Sequence, residues 1–287
     1  GQAQGAGTRP APTRKPMTVF LKLGGSLITD KNTPRTPRPE TLARLMREVA
    51  EARAARPRMR LVLGHGSGSF GHVEGKKYGT RAGARTEAEW RGFAEVQAAA
   101  GLLNRLVVDA AREAGLPVVN FPPSASAICR EGVIQSMAFA PIQTVLDHDL
   151  IPLVFGDVAI DQVRGGTILS TEDVFRYLAP QLKPERVLLA GIEAGVLARW
   201  PDGEVIPEIT AVGATHESPL QNLGGSHAAD VTGGMASKVR EMLALAASVP
   251  GVTIQIFSGE MTGLVRAALV GEGVRGTRIS TRPDTLG

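Results

Sequence analysis

The chain reads as an α/β protein, an open αβα sandwich with a mostly parallel central sheet. Two observations predict this. Short apolar runs at residues 17–23, 61–63, 116–120, 151–155, 186–190 and 253–258 alternate with stretches of helical period. That alternation indicates a parallel sheet covered on both faces. Several runs also stop at glycines, as at Gly24-Gly25, Gly64 and Gly156, and ligands of open α/β sheets bind at that edge. A length of 287 residues with 34 glycines and few aromatics suits one large α/β domain or two closely joined lobes.

Composition excludes several classes. No apolar run approaches the roughly 20 residues of a membrane helix. The single cysteine, Cys129, precludes an intrachain disulfide and points to a reducing, cytoplasmic setting. Residues 1–16 carry Arg9, Arg14 and Lys15 without an acid, and they read as a disordered leader or tag remnant. Without them the formal net charge falls from +4 to +1, and no charge argument for nucleic acid remains. The arginines of residues 53–60 read as a solvated helix face.

In chain order, residues 17–23 form a first strand, interrupted by Lys22 just before Gly24-Gly25-Ser26. A snorkelling edge-strand lysine is one reading; a lysine aimed at a phosphate held by glycine amides is the other. A loop with Asp30-Lys31-Asn32 and a proline-rich stretch follows, then an amphipathic helix over residues 40–56. The strand at 60–63 runs into His65-Gly-Ser-Gly-Ser-Phe-Gly-His72, a loop that could cradle a phosphate or be only a tight turn. Residues 74–85 are expected to be irregular, and 87–114 a long helix carrying Trp90, Phe93 and Val96. A strand at 116–120, a turn or helix at Pro122-Pro123-Ser124, and a helix over 141–148 come next. The strand 151–155 ends in Gly156-Asp157, before a hairpin over 158–168 expected to turn at Gly165-Gly166. Residues 172–182 form a helix capped by Ser170 or Thr171. A strand at 186–190, a hairpin around Pro201-Asp202-Gly203, and a Pro/Gly/His-rich linker follow. Helix 236–247, strand 253–258, helix 263–269 and a last edge strand at 276–279 complete the chain.

Neither familiar nucleotide signature holds. Gly66-x-Gly68-x-x-Gly71 has the spacing of a dinucleotide fingerprint. The fingerprint also requires a helix starting at the loop and an acid ending the next strand; here a polar stretch follows, and Glu87 and Glu89 lie at a helix start. A P-loop fails at Gly71 to Lys77 by one residue and by its lack of Ser or Thr after the lysine. What remains is a series of phosphate-grade elements in order: Lys22-Leu-Gly-Gly-Ser26 with Lys31, the His65–His72 loop, Gly156-Asp157, Ser170-Thr-Glu172, and Asp230-Val-Thr-Gly-Gly-Met-Ala-Ser-Lys238. The last puts Gly233-Gly234 at a helix N-terminus, where free amides attract phosphate oxygens, with Lys238 one turn inside.

This series resembles the amino acid kinase superfamily. Within it, His72 closing the Ser-Phe-Gly-His loop and the Asp30-Lys31 pair look most like the isopentenyl phosphate kinases. The resemblance runs from Thr18 to about Ile279. It implies transfer of the γ-phosphoryl of ATP, with Mg²⁺ held mainly by ATP phosphates and water, to isopentenyl phosphate. It also implies a homodimer, an acceptor lobe over residues 17–180 and a nucleotide lobe over 181–287. Lys22 and Lys31 match lysines that neutralise the transferring phosphoryl, and Glu172 the carboxylate that orients them. His72, Gly66 and Gly71 match positions that bind the acceptor phosphate. Gly24, Gly25, Ser26, Ser67, Gly233, Gly234 and Lys238 match ATP positions. Phe93, Val96, Ile160 and Thr171 match the acceptor side, although the helical spacing of Trp90, Phe93 and Val96 also fits a core stripe. His65 and His148 are read as structural, and Asp157 and Asp161 as hairpin or supporting residues. Chemistry agrees with these roles, because phosphoryl transfer needs positioning and electrostatic stabilisation more than covalent help.

Three departures from the family pattern stand out. Ser67 replaces a frequent glycine, which a negative φ would tolerate. Thr171-Glu172 replaces Gly-Asp, and Gly191-Ile-Glu-Ala-Gly-Val196 replaces Thr-Asp-Val-Asp-Gly-Val. Two other readings remain: a kinase of another small phosphate or phosphonate, such as a fosfomycin-type enzyme, and a nucleotide-binding sensor without catalysis.

Overall fold

A computed structural model describes residues 16–199, 202–210 and 232–281. Its first strands are β1 (Thr18–Leu23), β2 (Arg60–His65), β3 (Val118–Asn120), β4 (Ile128–Arg130), β5 (Val133–Ser136) and β6 (Ile151–Phe155). They are followed by β7 (Asp157–Asp161), β8 (Gly165–Leu169), β9 (Arg186–Gly191), β10 (Glu208–Thr210), β11 (Thr253–Ser258) and β12 (Gly276–Ser280). The helices are α1 (Gly25–Ile28), α2 (Pro39–Ala55), α3 (Gly68–Tyr78), α4 (Glu87–Glu113), α5 (Ala140–Asp147), α6 (Thr171–Leu182), α7 (Thr232–Ser248) and α8 (Leu264–Val270). The leader, Trp200-Pro201 of the second hairpin, and most of the linker before α7 lie outside the described residues.

Eight strands form the central sheet in the order β10-β12-β11-β9-β1-β2-β6-β3. β1 pairs in parallel with β2 on one side and with β9 on the other. The sheet therefore runs unbroken across the boundary expected between the two lobes. Only β12, with β10 parallel to it, runs against the rest. β12 is not the edge strand the sequence suggested, because Glu208–Thr210 adds outside it. The three residues of β10, Glu208-Ile209-Thr210, are too short and too polar a run next to a linker to announce a strand.

Strand period 2 assigns each face. Val19, Leu21 and Leu23 of β1 join Leu61 and Leu63 of β2 in one core, under α2, α4 and α8. Phe20, Val62, Val187 and Leu189 join the opposite core under α5, α6 and α7. Lys22 shares the parity of Phe20, so its side chain is directed to the α6–α7 face. β1 is buried along its whole length, which rules out the snorkelling edge-strand reading.

The chain leaves β1 towards β2 on one side, whereas β9 leads towards β11 on the other. The crevice outside the C-terminal ends of β1 and β9 is thus a topological switch point, where open α/β sheets bind ligands.

A second sheet, β5-β4-β7-β8, projects from the end of β6. Strands β4 and β5 were not expected; their turn is made by Glu131 (φ 53°) and Gly132 (φ 82°), a pair of positive φ values that suits a two-residue hairpin. The hairpin of β7 and β8 turns through Gln162-Val163-Arg164, with Gly165 already pairing with Asp161. Asp161 fixes this turn: its carboxylate accepts the N–H of Val163 and Arg164, each at 2.9 Å, and that of Gly132 at 2.6 Å. The helix α3 is a further correction. The polar stretch from residue 74 was expected to be irregular, yet Gly68–Tyr78 is helical, because Phe70 buries itself in the core and anchors the first turn.

Phe175 of α6 is fully buried, packs on Phe20 with ring centroids 4.9 Å apart, and lies over Gly64. Phe175→Ala is expected to cost about 3–5 kcal/mol of stability by denaturant titration. A loss under about 1 kcal/mol would show that this helix does not depend on the contact.

Candidate active site

Lys22 ends its side chain at Glu172, donating from Nζ to Oε2 in a buried ion pair. Both residues are more than nine-tenths buried. In register with Lys22 on β2 is Gly64. A Cβ there would come 2.6 Å from Thr171 Cγ2 and 2.9 Å from Phe175 Cζ, so only glycine lets the start of α6 sit close enough to bring Glu172 to Lys22. Ser170 supplies the helix start: its hydroxyl accepts the N–H of Asp173, and the Asp173 carboxylate accepts the Ser170 N–H at 2.8 Å. This reciprocal cap fixes the first turn, which carries Glu172.

Lys238, partly buried in α7, adds a second cation to the cluster. Burial alone would raise the Glu172 carboxyl, but the charges of Lys22 and then Lys238, with the Lys22 hydrogen bond, hold it below the usual glutamate value. Glu172 is therefore ionised. Burial pushes the Lys238 ammonium down, and Glu172 opposes that push. Lys22 and Lys238 thus both act on the Glu172 carboxylate, and Glu193 also bears on Lys238, at one lysine-bearing site. Its chemistry suits an anion of higher charge, as phosphate groups are.

The two glycine loops meet beside this cluster. Gly24 N donates to Ala190 O at 2.7 Å, tying the first loop to β9. A Cβ on Gly25 would come 2.5 Å from Gly68 Cα, and one on Gly68 would come 2.6 Å from Gly25 O. Gly68 also has φ 48°. Backbone thus packs on backbone, with no side chain between the first and second loops. Gly66 lies alongside Lys22: a Cβ there would be 3.6 Å from Lys22 Cε. Ser26 is half-buried in α1. Ser67 has φ −79°, so the serine is unstrained, and its Cβ would meet one on Gly71 at 2.5 Å. The backbone of His72 lies in α3, while its side chain is outside the described residues.

At the other end of the cluster, Gly234 is exposed in the first turn of α7, and a Cβ there would meet nothing within 4 Å. The side chains of Thr232 and Gly233 lie outside the described residues. The first turn of this 17-residue helix carries an exposed glycine, and helix N-terminal amides suit a phosphate.

The structure also separates some residues that the sequence grouped. Thr171 is buried, and its hydroxyl donates to His65 O at 2.6 Å, so this side chain is not offered to a ligand. Val96 is 2% exposed and belongs to the α4 core. Phe93, by contrast, lies over Gly166, where a Cβ would come 2.7 Å from its ring, and Gly166 pairs with Ile160. Phe93 and the exposed Ile160 therefore flank one apolar spot. Lys31 is exposed on the loop between Thr29 and Pro37. His65 is structural. Its ring stacks on Phe155 at 5.2 Å and meets Gly66 O and Asn104, and burial depresses its pKa. His148 caps Thr144 O at 2.9 Å, and Asp157 accepts the N–H of Ser124 and Val158. Among the described residues no group of three or more His, Cys, Asp or Glu side chains could cage a metal.

Residues 17–258 match the model of the amino acid kinase family. The chain belongs to the amino acid kinase family. Curated relatives of this amino acid kinase include the isopentenyl phosphate kinase of Methanothermobacter thermautotrophicus, 34% identical over 91% of this chain and 98% of the relative. That of Haloferax volcanii is 38% identical over 90% of this chain and 98% of the relative. A solved structure described as isopentenyl phosphate kinase superposes with a TM-score of 0.76 at 32% identity, covering 92% of this chain and all of that one. The α/β fold with a mostly parallel sheet is the one these relatives share.

Sequence reading missed Asn104, Arg35 and Glu74, because each acts through a partner distant in sequence. Only their burial or pairing in three dimensions marks them.

Two outcomes are expected. Gly68→Ala, strained by its positive φ and by contact with Gly25, should lose about 1–3 kcal/mol of stability and most activity; wild-type stability and rate would contradict the loop contact. The second concerns pH. Since Glu172 titrates below the ordinary 4.5, its contribution is complete above its unfolded value and is lost as pH falls through the folded one. The stability gap between wild type and Glu172→Gln should hold down to about pH 5 and shrink below it in acid denaturation series. A gap that widens on acidification would contradict an ionised Glu172.

Proposed function

We propose that this chain transfers the γ-phosphoryl group of ATP to isopentenyl phosphate, giving isopentenyl diphosphate and ADP. One observation carries the reading. Lys22, Glu172 and Lys238 converge at the β1/β9 switch point, where two interlocked glycine loops expose their backbone, in a chain matched nearly end to end by isopentenyl phosphate kinases.

Lys22 and Lys238 are proposed to neutralise charge on the ATP phosphates, with the amides of Gly25, Gly233 and Gly234 and the hydroxyls of Ser26 and Ser67 around them, while the Gly24 N–H stays engaged with Ala190 O and holds the loop in place. Glu172 orients Lys22. Lys31 approaches the transferring phosphoryl from its exposed loop. His72 is proposed to hold the acceptor phosphate; Gly66 and Gly71 contribute by lacking a side chain, because their own N–H groups donate to Leu23 O and Ser67 O. The acceptor oxygen, already ionised, attacks the γ-phosphorus, and the bond to the β-phosphate oxygen breaks to release ADP, so no general base is required. Phe93 and Ile160 are proposed to shield the apolar tail of the acceptor.

Mg²⁺ would enter with ATP, bound by its phosphates and by water, and would supply charge neutralisation. The buried carboxylate of the site is engaged by Lys22, which argues against it as a ligand. A homodimeric assembly and a cytoplasmic location are proposed on the same family grounds. No helix among the described residues is long and apolar enough to cross a membrane.

The test is ADP release from Mg-ATP with isopentenyl phosphate, dimethylallyl phosphate, geranyl phosphate, fosfomycin and acetylglutamate as acceptors. Isopentenyl phosphate is expected among the best; preference for fosfomycin would replace this reading, and no turnover with any acceptor would favour a sensor. Lys22→Ala should lower kcat by about 10²–10³-fold. His72→Ala should cripple turnover while ATP still binds, and an unchanged kcat/KM would remove the acceptor role.

A further inference from the structure

The loop that presents Lys31 is attached to the helix that carries His72. Within the loop, Asp30 N donates to Thr36 O at 2.8 Å, and the Asp30 carboxylate accepts Asn32 N at 2.8 Å and the Thr33 hydroxyl at 3.1 Å. This makes one rigid turn. Ser69, in the first turn of α3, holds that turn at three points. Its N–H donates to Thr29 Oγ1 at 3.0 Å, its carbonyl accepts Arg35 N at 3.3 Å, and its hydroxyl accepts Thr36 N at 3.4 Å. One turn further along α3, Arg35 Nη2 donates to Glu74 Oε1 at 2.6 Å.

Two features mark the Arg35–Glu74 pair as more than a surface contact. Glu74 is 8% exposed, and a buried carboxylate needs a partner. Arg35 has φ 51°, a conformation that a non-glycine residue adopts only when its surroundings enforce it. The arginine side chain is 45% exposed and that of Glu74 11%, so water screens the arginine end while the carboxylate depends on it for a partner. The consequence of the pair is geometric.

We propose that Arg35 and Glu74 are positioning residues, a clasp that sets the distance between the Lys31 loop and α3 and so aligns the transferring phosphoryl with the acceptor phosphate. The inference rests on the roles assigned above to Lys31 and His72. Neither clasp residue is placed in contact with substrate. Loss of the clasp leaves the ATP cluster of Lys22, Glu172 and Lys238 intact and lets the two phosphate-holding elements drift apart.

The experiment is steady-state kinetics with Mg-ATP and isopentenyl phosphate on Glu74→Gln, Arg35→Ala, Arg35→Lys and the Arg35→Ala/Glu74→Gln double variant, with thermal melts of each. For Glu74→Gln and Arg35→Ala, kcat should fall by about 10–100-fold while KM for ATP stays within about twofold. Arg35→Lys should recover most of the rate, and the double variant should lose no more than the worse single one. Single-variant kcat within about twofold of wild type overturns the clasp, as do losses that multiply in the double variant. So does a lowered melting temperature with unchanged kcat. Arg35→Ala, at a half-exposed position, decides the question should Glu74→Gln not fold. Wild-type failure on isopentenyl phosphate would refute only the acceptor assignment. Normal wild-type turnover with unaffected variants would refute only the clasp.

Discussion

The buried contact between Lys22 and Glu172 sets the terms for the rest of the structure. A lysine in the centre of a sheet covered on both faces must be paired, because an isolated charge there would cost several kcal/mol. Its partner arrives from α6, which can approach β2 only because Gly64 has no side chain. The helix start is held by the Ser170–Asp173 cap. Strand parity, one glycine and one cap together place a carboxylate against a lysine at the C-terminal edge of the sheet.

Lys238 brings a second cation to the same carboxylate, and its own charge is disfavoured by burial. An anion beside the two lysines would relieve that cost, which is the electrostatic reason to propose a polyphosphate ligand here. Such a site spends folding stability on binding, as functional sites commonly do. The interlocked loops around Gly25 and Gly68 serve the same end. They bring two runs of backbone amides together with no side chain between them, and they exclude any residue larger than glycine at the contact.

The second, smaller sheet does different work. Its hairpin turns are fixed by Asp161, and Gly166 of β8 lets Phe93 lie directly on the strand beside Ile160. An apolar spot is thereby built from Phe93 of α4 and Ile160 of β7, elements that the main sheet does not provide.

Much of this was legible in the sequence because it is local. Alternating apolar runs announced the parallel sheet, and Lys22 before Gly24-Gly25, the glycines of residues 64–71 and the Gly233-Gly234 helix start marked the glycine-rich strand and helix ends. Period 2 alone tells that Lys22 and Phe20 share a face. Which helix covers that face does not follow from the order of residues. Tertiary structure decided that Glu172 meets Lys22, that Thr171 spends its hydroxyl on His65, and that Arg35 reaches Glu74. It also turned residues 68–78 into a helix, because Phe70 found a core to bury in. Sequence determines what can be made locally, through backbone preference and side-chain period. Pairings between charges distant along the chain depend on which surfaces pack, and only the folded sheet settles that.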